Sequence, residues 1–255
     1  MTFAEEVIAR LPDGLHLPEA FVATFDWAES QGFAVTHDRP MDDPFRQRSL
    51  LIYPPSLRDA PGASNVAFNF EPGPPLHAPP PEVVRRIVTL AVIAGDGGTL
   101  SLWLDDSGTQ RIVVFDHGIP FVLTDDPLIA LQFLAIGYPE PAAIGDATRT
   151  AAEIAARDGW EPPLSPAAFR AFLTDRFGVK TPDRASDLGI TIPADGAPDP
   201  IRAWLDLHMP EPDALPLPGS SPDHPFIITR DLRELLDDQT LQGLRDAYDY
   251  VVEEE

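Results

Sequence analysis

The chain has 255 residues, 44% of them hydrophobic, which is enough for one large domain or two small ones built on a real core. It contains no cysteine, so disulfides, thiolate nucleophiles and cysteine-ligated metals are excluded. Its 41 acidic and 18 basic residues give a net charge of −23, a field that repels nucleic acid and anionic membrane surfaces and attracts a basic protein.

The N-terminal part of the sequence predicts helices followed by strands. The opening residues carry acids where a secretory signal needs basic residues and an apolar stretch, and no apolar run reaches about 18 residues, so we expect a cytoplasmic protein without a membrane span. Apolar residues at helical spacing predict helices at Phe3–Arg10 and Pro18–Glu29, the second ended by Gly32. Leu50–Tyr53 and Val66–Phe70 are predicted strands.

Proline is concentrated in two stretches of the chain. Residues 71–81 and 209–225 hold many of the 30 prolines. Proline fixes φ and lacks an amide hydrogen, so it is excluded from helix interiors and central strands. We therefore expect both stretches to be extended surface connections.

Residues 83–140 carry the most specific pattern of the sequence. Short β-branched or alternating runs, separated by turns rich in glycine and aspartate, predict four strands of a meander: Ile87–Ala94, Thr99–Asp105, Arg111–Asp116 and Pro120–Thr124. Asp126 as N-cap and Pro127 as first helical residue predict a helix that follows them, ends at Gly137 and is substantially buried.

The remaining sequence predicts helices at 148–157, from Ser165 to Gly178, from Asp199 to His208, and at Arg230–Val252. The predicted fold class is therefore α+β, with an antiparallel β-meander sheet flanked by helices and a mainly α-helical C-terminal extension. We place an α+β domain at 1–145 and the extension at 146–255, packed on or beside the domain.

Four consecutive segments carry a family resemblance. A strand ends in a glycine-rich turn, a strand is followed by an acidic turn, a strand ends in Asp-His-Gly, and a helix begins after an acidic residue: Ile93–Gly98, Leu100–Asp106, Val113–Gly118 and Asp126–Phe133. This order resembles the SUKH superfamily, the Smi/Knr-type domains, mainly over residues 83–140. Five residues stand where that family pattern places them: Gly95, Gly97, Trp103, Asp116 and His117.

The resemblance implies a non-enzymatic domain without a cofactor. Many bacterial members resemble immunity proteins that neutralise toxins, often nucleases, and fungal members act as interaction scaffolds. Together with the negative charge, it predicts a protein-binding module for a basic partner such as a nuclease-type toxin, with no nucleic acid or membrane bound. The candidate partner-binding residues lie in or beside the predicted turns: Asp96, Trp103, Asp105, Asp106, Asp116, His117 and Asp125.

A second hypothesis is a metal-assisted hydrolase that uses turn aspartates and a histidine. Aspartate is also common in turns for its own backbone hydrogen bonds, and the turns of a regular meander alternate between two ends of the sheet, so all the aspartates cannot converge. Neighbouring strand residues point to opposite faces, so we do not expect Asp116 and His117 to hydrogen-bond. A two-histidine metal site at His208 and His224 is a further alternative.

Two observations have structural interpretations that compete with a binding role. Trp103 and Phe115 would form an exposed aromatic patch or, as we favour, pack in the core. The acidity is equally typical of the proteome of a salt-adapted cell, because arginine supplies nearly all of the positive charge and Lys180 is the only lysine. Neither a serine-nucleophile motif nor a phosphate-binding loop is present in the sequence.

Overall fold

A computed structural model describes residues 1–37, 44–117, 119–194 and 196–209, and the backbone of 226–228 and 250–252. The chain divides into two compact units, Met1–Met209 and Pro210–Glu255. The described helices are α1 (Phe3–Arg10), α2 (Glu19–Ser30), α3 (Pro81–Val84), α4 (Pro127–Ala135), α5 (Ala151–Asp158), α6 (Ala167–Phe177) and α7 (Pro200–His208). None of them is long and apolar enough to cross a membrane.

The first unit is built on a seven-stranded antiparallel sheet in which each strand pairs with the next along the chain. Its strands are β1 (Ala34–Thr36), β2 (Arg48–Leu51), β3 (Ala67–Pro72), β4 (Ile87–Val92), β5 (Thr99–Leu104), β6 (Gln110–Asp116) and β7 (Ile119–Thr124). The α+β class and the antiparallel meander are thereby confirmed. The sequence did not indicate β1, which has three residues and no buried side chain.

One face of the sheet carries the main hydrophobic core. Phe68 of β3 is fully buried at its centre, and its ring lies 5.2 Å from Phe25 and 6.4 Å from Phe21 of α2. Phe169 of α6 contacts the same ring at 6.5 Å. Helix α4, buried from Ala130 to Ala135 as expected, contacts α2, α6 and β7. Burial of these rings is the main driving force for this packing.

The opposite face of the sheet is covered in part by α3 and α7. Trp204 of α7 packs on Trp103 of β5 with ring centroids 5.8 Å apart. Val83 of α3 and Phe115 of β6 are fully buried in the same cluster. The part of this face formed by β2, β3 and β4 is concave and holds the pocket described below.

Helix α7 is also hydrogen-bonded to the edge strand β7. Asp199 caps the helix by accepting a hydrogen bond from the Ile201 amide at 3.0 Å, and its second oxygen accepts from the Val122 amide of β7 at 3.1 Å. Arg202 donates to the Pro120 carbonyl at 2.8 Å. These bonds use edge groups of β7 that would otherwise be open to another strand. The helix predicted from Asp199 to His208 is thus confirmed.

The predicted helix boundaries of the first unit agree closely with the structure. Thr2 and Thr150 cap α1 and α5 through reciprocal bonds with a glutamate three residues later. Gly159 and Gly178 end α5 and α6 in the left-handed conformation, with φ of 71° at both. Asp126 caps α4 by accepting from the Leu128 amide at 2.8 Å.

The C-terminal half differs from the expectation at its last residues. The first compact unit continues to Met209, so α5, α6 and α7 belong to the same unit as the sheet. Of the helix predicted at Arg230–Val252, the described residues are Tyr250–Val252, and they form a strand, β9, that pairs in parallel with β8 (Phe226–Ile228). The prediction of a helix is therefore wrong for these three residues, whose aromatic and β-branched side chains favour a strand. The rest of that helix lies outside the described residues.

The first proline-rich stretch contributes to regular structure at both of its ends. Glu71 and Pro72 complete β3, and Pro81 is the first residue of α3, a position where its missing amide hydrogen costs nothing. The second stretch lies outside the described residues except for Met209.

Candidate functional site

The candidate residues in the turns lie at two opposite ends of the sheet. The β4–β5 and β6–β7 turns share one end and hold Asp96, Asp116 and His117. The β5–β6 turn and the end of β7 lie at the other and hold Asp105, Asp106 and Asp125. The expectation that the turn aspartates cannot all converge is confirmed.

At the first end, His117 connects the two turns. Its Nδ1 lies 2.8 Å from Asp116 Oδ1, and its Nε2 lies 2.8 Å from Asp96 Oδ2. We call these three residues the histidine cluster. The expectation that Asp116 and His117 do not hydrogen-bond is wrong. His117 lies in a tight turn with φ of 48°, so the alternation of strand side chains does not apply to it.

The carboxylates and the imidazole of the histidine cluster are exposed to solvent. The hydrogen bond to Asp116 and the charge of Asp96 raise the pKa of His117 above its usual value. The His117 side chain is 61% exposed. Both ring nitrogens contact carboxylates, so neither is left to accept a proton from a substrate, as a general base must. The geometry therefore presents two carboxylates to solvent with a histidine held between them.

At the second end, each candidate aspartate contacts an arginine, and we call this group the arginine cluster. Arg111 lies between two carboxylates, with Nε 3.3 Å from Asp105 and Nη1 3.1 Å from Asp125. Arg86 Nη1 lies 3.4 Å from Asp106. Two arginines therefore compensate two of the three carboxylates at this end of the sheet and leave one net negative charge.

Asp105 also organises the turn in which it lies. Its Oδ1 accepts hydrogen bonds from the amides of Ser107 and Thr109, both at 2.9 Å. Partial desolvation opposes ionisation, but these bonds and the one from Arg111 outweigh it and lower the pKa of the Asp105 carboxyl. The interpretation of this aspartate as turn chemistry is confirmed.

Trp103 does not lie on the surface and is corrected as a candidate contact residue. It is 2% exposed beneath α7, and Phe115 beside it is fully buried. The favoured interpretation, core packing, is confirmed for both. Asp106 contacts this covering helix, because its Oδ1 accepts a hydrogen bond from Trp204 Nε1 at 3.1 Å.

The described ranges contain no group of three or more His, Asp or Glu side chains arranged to hold a metal ion. In the two-histidine alternative, His208 stacks on Trp204 with centroids 4.2 Å apart, and its Nδ1 lies 2.8 Å from the Trp204 carbonyl. His224 lies outside the described residues.

A polar pocket that was not predicted from the sequence lies on the second face of the sheet. It has a volume of about 540 Å³. Its polar lining consists of His37, Ser49, Tyr53, Arg58, Ser64, Asn65, Asn69 and Glu71. One signal was present in the sequence, because β3 places Ala67 and Asn69 opposite the buried Phe68 and Phe70. The loops that close the pocket carry no comparable pattern.

A set of hydrogen bonds fixes the rim of this pocket. The Tyr53 hydroxyl donates to the Leu164 carbonyl at 2.8 Å and accepts from the Ser64 amide at 3.2 Å. Glu140 accepts from Asn65 Nδ2 at 2.5 Å and from the Gly95 amide at 2.6 Å. Burial raises the pKa of Glu140, although both hydrogen bonds favour its charged form. Glu140 thereby joins the pocket rim to the turn that holds Asp96.

Comparison with family models, with curated proteins and with solved structures finds no match to this chain. The resemblance to SUKH domains is therefore a hypothesis about these residues. The two clusters and the pocket provide the geometry on which the function can be judged.

Proposed function

We propose that this protein is a non-enzymatic protein-binding module, a SUKH-like immunity protein or interaction scaffold that binds a basic protein through the histidine-cluster end of its sheet. The contrast between the two ends of the sheet carries the proposal. In the arginine cluster two permanently charged arginines compensate two of the three carboxylates. Among the described residues the ion-pair partner of Asp96 and Asp116 is His117, which is positive only when it is protonated.

The charge balance favours a basic partner at this end. With His117 protonated the histidine cluster carries one net negative charge, and with His117 neutral it carries two. The whole chain adds a field from its net charge of −23. Complementary charge of this kind accelerates encounter and fixes the orientation of a partner.

The same end of the sheet is preorganised. The Gly97 amide donates to the Ala94 carbonyl at 3.2 Å within the β4–β5 turn, and the Glu140 carboxylate holds the neighbouring Gly95 amide. His117 then links this turn to the β6–β7 turn. Because the turns are held before binding, little conformational entropy is lost when a partner docks.

The resemblance to SUKH domains supports the proposal that the histidine-cluster end of the sheet is the binding surface. Gly95, Gly97, Asp116 and His117, four of the five residues that carry it, lie in the two turns at this end. A nuclease-type toxin presents basic side chains that bind nucleic-acid phosphates. The carboxylates of Asp96 and Asp116 would take the place of those phosphates and block the toxin.

Calorimetric titration with a basic nuclease-type toxin domain encoded beside the gene tests this proposal. The variant D96N/D116N removes two charges from the histidine cluster, and D106N/D125N removes two from the arginine cluster. We expect at least about tenfold weaker binding for the first, equivalent to about 1.4 kcal/mol, and less than about twofold for the second. Equal losses in the two variants, or no binding of such a toxin by the unaltered chain, would contradict the proposal.

A further inference from the structure

We propose that the polar pocket on β2, β3 and β4 binds a small hydroxylated carboxylate of about the size of a sugar acid. The inference concerns a different surface from the histidine cluster and does not depend on the protein-binding proposal. Three features of the pocket support it: its size, its unpartnered polar atoms and the arginine at its rim.

The size and the lining of the pocket match those of small-molecule sites. Its volume of about 540 Å³ lies within the usual range of about 300–1,000 Å³ for such sites. Leu51, Val66 and Val92 give it apolar surface, and hydroxyl and amide side chains lie among them. Such a mixture suits a ligand that offers C–H surface and several hydroxyl groups.

Two residues that line the pocket each have a buried side-chain oxygen without a hydrogen-bond partner among the described residues. They are Oγ of Ser64, a residue only 6% exposed, and Oδ1 of Asn69, and a small side-chain rotation must bring each oxygen to the surface of the cavity before a ligand can bind it. Leaving such an atom unpaired costs about 1–3 kcal/mol. A hydroxyl group both donates and accepts, so a polyhydroxylated ligand can satisfy the serine hydroxyl and the amide oxygen together.

The positive charge of Arg58 favours a negatively charged ligand. The Arg58 side chain lines the pocket together with His37 and Glu71, and it makes no ion pair with an acidic residue in the part of the chain that the structure describes. A carboxylate ligand must therefore lie on the Arg58 side of the pocket, away from Glu71. A guanidinium group binds a carboxylate through two parallel hydrogen bonds. A carboxylate at Arg58 with hydroxyl groups toward Ser64 and Asn69 therefore uses the guanidinium group and both unpartnered oxygens.

The loop that carries Ser64 is fixed before any ligand binds. The Leu164 amide donates to the Gly62 carbonyl at 2.7 Å, and the Asn65 amide donates to the Pro139 carbonyl at 2.9 Å. With the bond from the Ser64 amide to the Tyr53 hydroxyl, three bonds hold three of the four loop positions from Gly62 to Asn65. A site held in this way needs little rearrangement to bind.

Titration with D-glucuronate, observed by ligand NMR, tests the inference, and D-glucose is the matched neutral probe. Ser64→Ala removes the unpartnered hydroxyl, so the folded state should not be destabilised. Thr99→Val is the matched control, because Thr99 is 5% exposed and its hydroxyl is also unpartnered but does not line the pocket. Arg58→Gln removes the charge at the rim.

We expect saturable binding of D-glucuronate, weakened about tenfold by Ser64→Ala and by Arg58→Gln and unchanged by Thr99→Val. D-glucose should bind at least about fivefold more weakly than D-glucuronate. Thermal unfolding verifies that all three variants are folded. No saturation up to about 20 mM D-glucuronate, equal affinity for the two probes, or equal effects of Ser64→Ala and Thr99→Val would overturn the inference.

Discussion

Trp204→Ala tests whether α7 is part of the folded core or a helix that lies loosely on the sheet. The Trp204 ring is 5% exposed, packs on Trp103 and donates its Nε1 hydrogen to Asp106. Replacing the ring by a methyl group leaves Trp103 without its cover and opens a cavity between helix and sheet. We therefore expect global destabilisation.

The size of the effect follows from the buried surface of Trp204. An aromatic side chain buries about 150–250 Å², which at about 25 cal/mol per Å² corresponds to about 4–6 kcal/mol. The retained methyl group and partial relaxation of the cavity reduce this value, and measured tryptophan-to-alanine losses are about 3–5 kcal/mol. The hydrogen bond adds little, because the side chain of Asp106 is 58% exposed. A loss of about 4 kcal/mol lowers Tm by about 10 °C in a domain of this size.

Urea unfolding followed by far-UV circular dichroism gives the free energy of unfolding without depending on tryptophan fluorescence. Trp160→Ala is the matched control, since that ring is 38% exposed, and it should cost less than about 1 kcal/mol. If Trp204→Ala costs no more than the control, α7 opens independently of the sheet and the assignment of α7 to the core is refuted.

Three further predictions concern the turns. His117→Gln should reduce the dependence of stability on pH. Because the pKa of His117 is raised in the folded state, its contribution to stability is complete below its ordinary pKa of 6.5 and is lost as pH rises through the folded value. A variant with the same pH profile of stability would contradict this. Gly62→Ala should cost about 1–3 kcal/mol more than Gly159→Ala. Both glycines have a positive φ, 75° and 71°, but only a methyl group added at Gly62 would meet a backbone oxygen, at 2.0 Å. Equal losses of Tm in the two variants would refute this close approach. Arg111→Met should cost about 0.5–1 kcal/mol in low salt and less in about 1 M NaCl, as expected of surface ion pairs; a loss independent of salt would contradict this.

The sequence was most informative where a local signal determines the structure. Asp126 and Asp199 before proline, and Gly159 and Gly178 after apolar runs, place helix ends within a residue or two, because caps and left-handed glycines act on their own turn. The four strands of the meander were predictable for the same reason, since two-residue alternation and turn residues lie close together in the chain.

The parts that could not be predicted depend on contacts between distant residues. The Asp116–His117 bond was missed because the backbone twist at His117, φ of 48°, moves its side chain out of the strand alternation. The pocket was missed because its rim is assembled by bonds such as those from Asn65 to Glu140, 75 positions apart in the chain. Trp103 was included among the contact candidates because no local pattern shows that α7 would cover it.

The surface used for binding is tested most directly by amide hydrogen exchange of the complex with a nuclease-type toxin domain encoded beside the gene. Slower exchange in the complex should concentrate in the turns at 94–98 and 116–119, which carry the histidine cluster. Exchange at 105–109, in the arginine cluster, should be the same with and without the toxin domain. Protection at 105–109 that leaves 94–98 and 116–119 unchanged would contradict the proposed binding surface.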